Sequence, residues 1–168
     1  MDAVLSIDTL AAGLRLALPV ALAALGALLC ERSGVLNLGL EGLMLCGALA
    51  GYLVTDSTGS PWVGLFAGLV IGGLCGALLG GAVVYLAANQ VVAGLAFSLI
   101  AVSATTYVYE GSYDIGQSPP RIERISMPPL VILTLVVLGI VVVLLRSTLS
   151  GLVLTATGES PVAVDALG

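Results

Sequence analysis

Asn37 and Glu41 are the residues of this chain with the most to say about chemistry. They sit in an otherwise apolar stretch, within the run Glu-Arg-Ser-Gly-Val-Leu-Asn-Leu-Gly-Leu-Glu-Gly over residues 31–42. A carboxylate at the middle of a bilayer costs roughly 2.5–3.5 kcal/mol on insertion scales, so Glu41 is expected to face protein or water and to mark a pathway. Residues four apart share one face of a helix, and a helix through 37–41 places Asn37 and Glu41 side by side. The structural alternatives are an ion pair of Glu41 with Arg32 or Arg15, and a helix–helix hydrogen bond from Asn37. Covalent chemistry has little to work with. There is no histidine to serve as base or ligand, and Ser33 and Asp114 form no nucleophilic constellation. Cys30, Cys46 and Cys75 lie in or beside apolar segments without paired spacing and read as small packing residues, so neither a metal nor another cofactor is expected.

Composition dictates what must position these groups. The chain is 59% hydrophobic and 9% charged, against about 25% charged in soluble domains. Five arginines face ten acids, for a net charge of -5, and no lysine is present. Such a chain is an integral membrane protein. It offers no basic patch for nucleic acid and no polybasic anchor for anionic lipid.

With a span of about 20 residues in mind, five apolar segments emerge, at 10–30, 35–54, 63–87, 91–109 and 130–145. The expected fold is all-α, a polytopic transmembrane bundle. Pro19 falls inside the first segment, whose acidic leading residues do not suit a cleaved signal peptide. Residues 55–61 form a polar turn, after which Trp62 takes an interfacial place. Tyr107, Tyr109 and Tyr113 gather at the end of the fourth segment as an aromatic belt would. Residues 110–127, with Pro119-Pro120 and Pro128-Pro129 as breakers, form the longest loop between segments. Arginines at both ends of the segments leave the orientation undecided by charge bias.

The third segment carries glycine at every fourth position: Gly64, Gly68, Gly72, Gly76 and Gly80. Small residues at this spacing let two helix backbones approach closely, the main source of packing where the hydrophobic effect no longer drives helices together. Gly47 and Gly51 extend the device to the second segment.

Three runs carry a resemblance: residues 31–42, the run Asn-Gln-Val-Val-Ala-Gly-Leu-Ala at 89–96, and Gly-Glu-Ser-Pro-Val-Ala-Val-Asp-Ala-Leu-Gly at 158–168. In this order the chain resembles permease subunits of bacterial ATP-binding cassette importers, nearest to the nucleoside-type branch related to ribose and branched-chain amino-acid permeases. The resemblance implies a partner set of cytoplasmic ATP-binding subunits, a second permease subunit and an extracytoplasmic solute-binding protein. It also implies a cytoplasmic coupling segment at 146–168, with Gly158, Glu159, Ser160, Pro161, Ala163 and Asp165 in ATPase coupling. Ser160 suits the N-cap and Pro161 the first turn of a short helix there. A cytoplasmic coupling segment puts the amino terminus outside. The implied activity is alternating access for a small polar solute such as a nucleoside, with Asn37, Glu41, Gln90 and Ser98 along the path. The bland reading of Asn89 and Gln90 is capping, and of Ser103, Thr105 and Thr106 back-bonding to their own helix.

Two departures accompany this resemblance. Val153, Thr155 and Val162 stand where relatives usually carry arginine. The chain also looks like the N-terminal half of such a permease, followed in relatives by further spans. The rival expectations are a channel self-assembled through the glycine stripe, and a non-functional permease remnant.

Overall fold

The computed structural model describes residues 7–113, 120–160, 162 and 164. Six helices follow one another: α1 (Ile7–Arg32), α2 (Leu40–Thr58), α3 (Pro61–Val84), α4 (Gln90–Ser112), α5 (Met127–Ser147) and α6 (Leu149–Glu159). No strand occurs among the described residues, and the protein is an all-α membrane helix bundle. Helices α1, α3, α4 and α5 are each long and apolar enough to cross a bilayer. Helix α2 has 19 residues, includes Glu41 and Asp56, and is not among them. Leu16, Leu69, Leu99 and Ile140 are 60–73% exposed. The buried apolar side chains among the described residues are only Leu18, Ala101 and Val141. Side chains so apolar and so open belong in hydrocarbon, where lipid takes the place that water could not.

The helices group into two compact units. The first holds α1, α5 and α6. Helix α1 ends in a Schellman turn: Val35 N–H donates to the Cys30 carbonyl at 3.0 Å and Gly34 N–H to the Glu31 carbonyl at 3.0 Å. Gly34, at φ +80°, supplies the left-handed residue that this turn requires. The 31–42 run therefore does not begin a helix. Its first part closes α1, and α2 starts only at Leu40, five residues later than the hydropathy segment. Pro128 and Pro129 also act differently from the breakers expected. They lie in the first turn of α5, where a missing N–H costs nothing and the fixed φ favours helix. Thr148 ends α5 and begins α6, its hydroxyl accepting from Gly151 N–H at 3.1 Å. Gly151 lies so close to the Leu144 carbonyl that a side-chain carbon would collide with it.

The second unit holds α2, α3 and α4. Helix α2 continues through the stretch read as a polar turn, because Thr55, Ser57 and Thr58 bond to carbonyls one turn back and Gly59, at φ +68°, provides the stop. Helix α3 runs antiparallel to α2. Thr55 and Gly51 meet Gly64 at one end, and Gly39, just before α2, meets Leu79 toward the other. Helix α4 runs parallel to α2, with Gly42 against Ser98 at its start and Tyr52 against Tyr109 near its end.

The glycine stripe divides in two. A Cβ on Gly68 would lie 2.8 Å from the Gly47 carbonyl, and one on Gly64 would lie 2.5 Å from that of Gly51. Backbone touches backbone here, as the spacing predicts. Gly72 has only the Leu43 carbonyl at 4.0 Å, while Gly76 and Gly80 have nothing within 4 Å.

Candidate functional site

The entry to α2 is the point where the polar and glycine residues converge. Asn37 lies outside the helix, so it does not share a helical face with Glu41. Its Oδ1 accepts from Gly39 N–H at 3.2 Å, the local bond by which asparagine favours a turn over a continued helix. Gly39 and Gly42 are buried. A Cβ on Gly42 would sit 2.9 Å from Ser98 Cα and 3.1 Å from the Phe97 ring. From the other side, a Cβ on Gly94 would sit 2.9 Å from Gly39 nitrogen and 3.0 Å from Leu38. The Ser98 hydroxyl donates to the Leu38 carbonyl at 3.3 Å. The glycines of the first and second motif runs thus exist to press the α2 entry onto α4.

Helix α4 is positioned for this contact by Asn89, whose Oδ1 accepts from Val91 N–H at 3.0 Å and Val92 N–H at 3.2 Å. An asparagine N-cap of this kind is worth about 1 kcal/mol to its helix. Asn89 is therefore a cap, and Gln90 opens the helix beside it. Ser103 and Thr105 bond back to Leu99 and Ala101, as expected of hydroxyls in an apolar helix. Glu41 is exposed in the first turn of α2 and forms no ion pair among the described residues.

The third run packs on the first. A Cβ on Gly158 would collide with the Arg32 carbonyl and lie 3.0 Å from Gly34 nitrogen, while one on Gly34 would lie 3.2 Å from Gly158 Cα. Glu159 ends α6 and is exposed. Ser160 closes α6 as its C-cap, and its own carbonyl accepts from Val164 N–H at 3.2 Å, the first bond of a new turn and the one expected of an N-cap residue. Pro161, Ala163 and Asp165 lie outside the described residues. The 31–42 run is accordingly a hub: Arg32–Gly34 receive Gly158 within the first unit, and Leu38–Gly42 receive Gly94 and Ser98 within the second.

Two features escape a reading of the sequence. Cys46 and Cys75, without paired spacing, are neighbours across the α2–α3 seam. At the far end of α2, Tyr52, Tyr109 and Tyr113 form one aromatic cluster, with centroids 5.2–6.3 Å apart. The Tyr113 hydroxyl donates to Asp56 Oδ2 at 2.8 Å. The belt pattern gives the level of Tyr109 and Tyr113 but not the contribution of Tyr52, which comes from another helix.

Residues 9–168 match the family of permease components of branched-chain amino acid transport systems. The chain belongs to this permease family. It is 34% identical to a putative glucose ABC transporter permease protein of Haloferax volcanii, over 88% of this chain and 50% of that protein. It is 31% identical to the guanosine ABC transporter permease protein NupQ of Bacillus subtilis, over 90% of this chain and 56% of the relative. Identity to the nucleoside ABC transporter permease protein NupC of Lactococcus lactis is 29%, over 89% and 55%. The permease chain thus spans about half the length of the curated relatives it matches. No solved structure matches it.

Proposed function

We propose that this permease chain forms part of the membrane-spanning subunit of an ATP-binding cassette importer and moves a small polar solute, of the nucleoside class, by alternating access. Its partners in this reading are cytoplasmic ATP-binding subunits, a second permease subunit and an extracytoplasmic binding protein. The observation that carries the proposal is the glycine hub. Gly158 of the coupling element rests on the backbone of Arg32–Gly34, a few residues before the Asn37–Gly42 entry that presses on α4. Backbone contacts without intervening side chains pass a small displacement on with little loss, because packed interfaces switch between arrangements rather than deform. Helix α2, which lies along α3 from Leu79 to Gly64, serves as the fifth span. The amino terminus is outside and α6 is cytoplasmic. Two of the three relatives are named for nucleosides, which supports that solute class. Along the path, Glu41 is the open polar group, Asn37 and Ser98 hold the backbone that flanks it, and Gln90 stands at the start of α4.

Co-expression with candidate ATP-binding subunits, followed by pull-down in mild detergent, tests this reading. The intact chain should retain the ATPase, and a chain cut after Ser150 should not. Equal retention by both would remove α6 and the following residues from the coupling role. The open half of the glycine stripe favours a second reading, self-association through Gly76 and Gly80. A homo-oligomer that binds no ATPase would support it.

A further inference from the structure

Residues 120–125, beyond the tyrosine cluster, form a strap that the translocation reading leaves unused. The Tyr52 hydroxyl donates to the Pro120 carbonyl at 3.0 Å and ties the strap to α2. Side chains along it then divide by chemistry. Ile122 and Ile125 are half-buried and close an apolar groove of about 650 Å³ whose floor is the Gly47, Gly51, Gly64 and Gly68 backbone. Arg121 and Arg124 are exposed and line a second cavity of about 700 Å³ with Tyr52, Pro120 and Ile122. The two cavities share Tyr52 and Ile122 as a common wall. Neither arginine forms an ion pair or hydrogen bond among the described residues. Nearby acids do not fill that role: Asp56 accepts from Tyr113, and Glu123 lines neither cavity.

We propose that these joined cavities bind one anionic phospholipid, with its phosphate between Arg121 and Arg124 and an acyl chain along the glycine floor. Guanidinium groups match phosphate oxygens in a forked geometry and lose less hydration than an ammonium would. Tyrosine, which gathers at the level of lipid headgroups in membrane proteins, stands beside the cavity as Tyr52, in ring contact with Tyr109 and Tyr113. Beside the close Gly47–Gly68 and Gly51–Gly64 contacts, Ala48, Leu65, Leu69, Ile122 and Ile125 complete an apolar lining suited to a hydrocarbon chain. A neutral solute leaves both charges unanswered, and a free carboxylate or phosphate leaves the apolar groove empty. An anionic amphiphile answers both.

The test uses the full chain in detergent, with lipid retention followed by native mass spectrometry. Phosphatidylglycerol should be retained in preference to phosphatidylcholine. Arg121→Gln and Arg124→Gln should each weaken that preference by about fivefold, and the double variant by about 25-fold. Millimolar inorganic phosphate should not displace the lipid. An unchanged preference in both single variants overturns the proposal, whether or not the double variant folds. Displacement by inorganic phosphate overturns it too, and leaves an oxyanion site without a lipid.

Discussion

The two halves of the glycine stripe on α3 have the same spacing and opposite surroundings. Gly64 and Gly68 touch the backbone of α2, whereas Gly76 and Gly80 face open space. A four-residue repeat of small residues therefore states a capacity for close approach, and the partner decides where that capacity is used. On α2 the matching positions are Gly47 and Gly51. Toward its start, Leu43 occupies the next position in that row, and the seam opens there to 4.0 Å at Gly72.

Alanine separates the halves most sharply. Gly64→Ala places a Cβ 2.5 Å from the Gly51 carbonyl and onto the Thr55 hydroxyl, an overpacking expected to cost about 1–3 kcal/mol. Gly76→Ala meets nothing within 4 Å, and replacing glycine inside a helix then gains up to about 1 kcal/mol. Resistance to unfolding in denaturing detergent should fall for the first and hold or rise for the second. A comparable loss at Gly76 would mean that the open half is filled in the membrane.

Gly158 extends the comparison to the first unit. Gly158→Ala drives a Cβ into the Arg32 carbonyl, and a loss of about 1–3 kcal/mol is expected from the same overpacking. Unlike Gly64→Ala, it should also weaken ATPase retention in the pull-down, because the displaced contact belongs to the coupling element. Loss of stability with full retention would separate the hub from coupling.

How much of this was legible in the residues differs from one element to the next. Five of the six helices followed from apolar length, α6 over Leu149–Glu159 did not, and the Asn89 cap and the hydroxyl back-bonding followed from local chemistry. The entry to α2 did not. Hydropathy carries 35–39 into a helix, since Val35, Leu36 and Leu38 are as apolar as any span, and it gives no weight to the Gly34 turn or the Asn37 side-chain bond. Asn37 and Glu41 were therefore expected on one face that does not exist. Glycine spacing gave the seam on α3 but not its limit, which depends on how far α2 stays close to it and falls between Gly68 and Gly76. The joining of Tyr52 to Tyr113, or of Gly158 to Gly34, depends on tertiary contacts that no local pattern encodes.

At the closed end of the seam, the Tyr113–Asp56 bond should be lost only in strong alkali. Burial first, and then the hydrogen bond to Asp56, push the Tyr113 phenol above its ordinary range. The folded state binds this proton more tightly than the unfolded state does. Its contribution is therefore complete below the ordinary tyrosine pKa of about 10 and fades as pH rises through the higher folded value. A phenolate absorbance titration should show a latest-ionising step that is lost in Tyr113→Phe. A titration curve whose late end is the same in the variant would place Tyr113 in water.

The cysteines test where the seam ends, with the smallest perturbation of all. Cys46 precedes Gly47 on the closed row, and Cys75 precedes Gly76 on the open one, yet the two thiols are neighbours. Contact between α2 and α3 thus persists at the side-chain level beyond the last backbone contact at Gly68. In a Cys30→Ser background, mild oxidation should join Cys46 to Cys75 within one chain, seen as a loss of two hydrogens without a change in oligomer size, provided the Cα atoms come within the roughly 4.4–6.8 Å a disulfide needs. A dimer linked through Cys75 would give the opposite result. It would place a second α3 against Gly76 and Gly80, and the open half of the stripe would then be an interface between chains rather than a face for lipid.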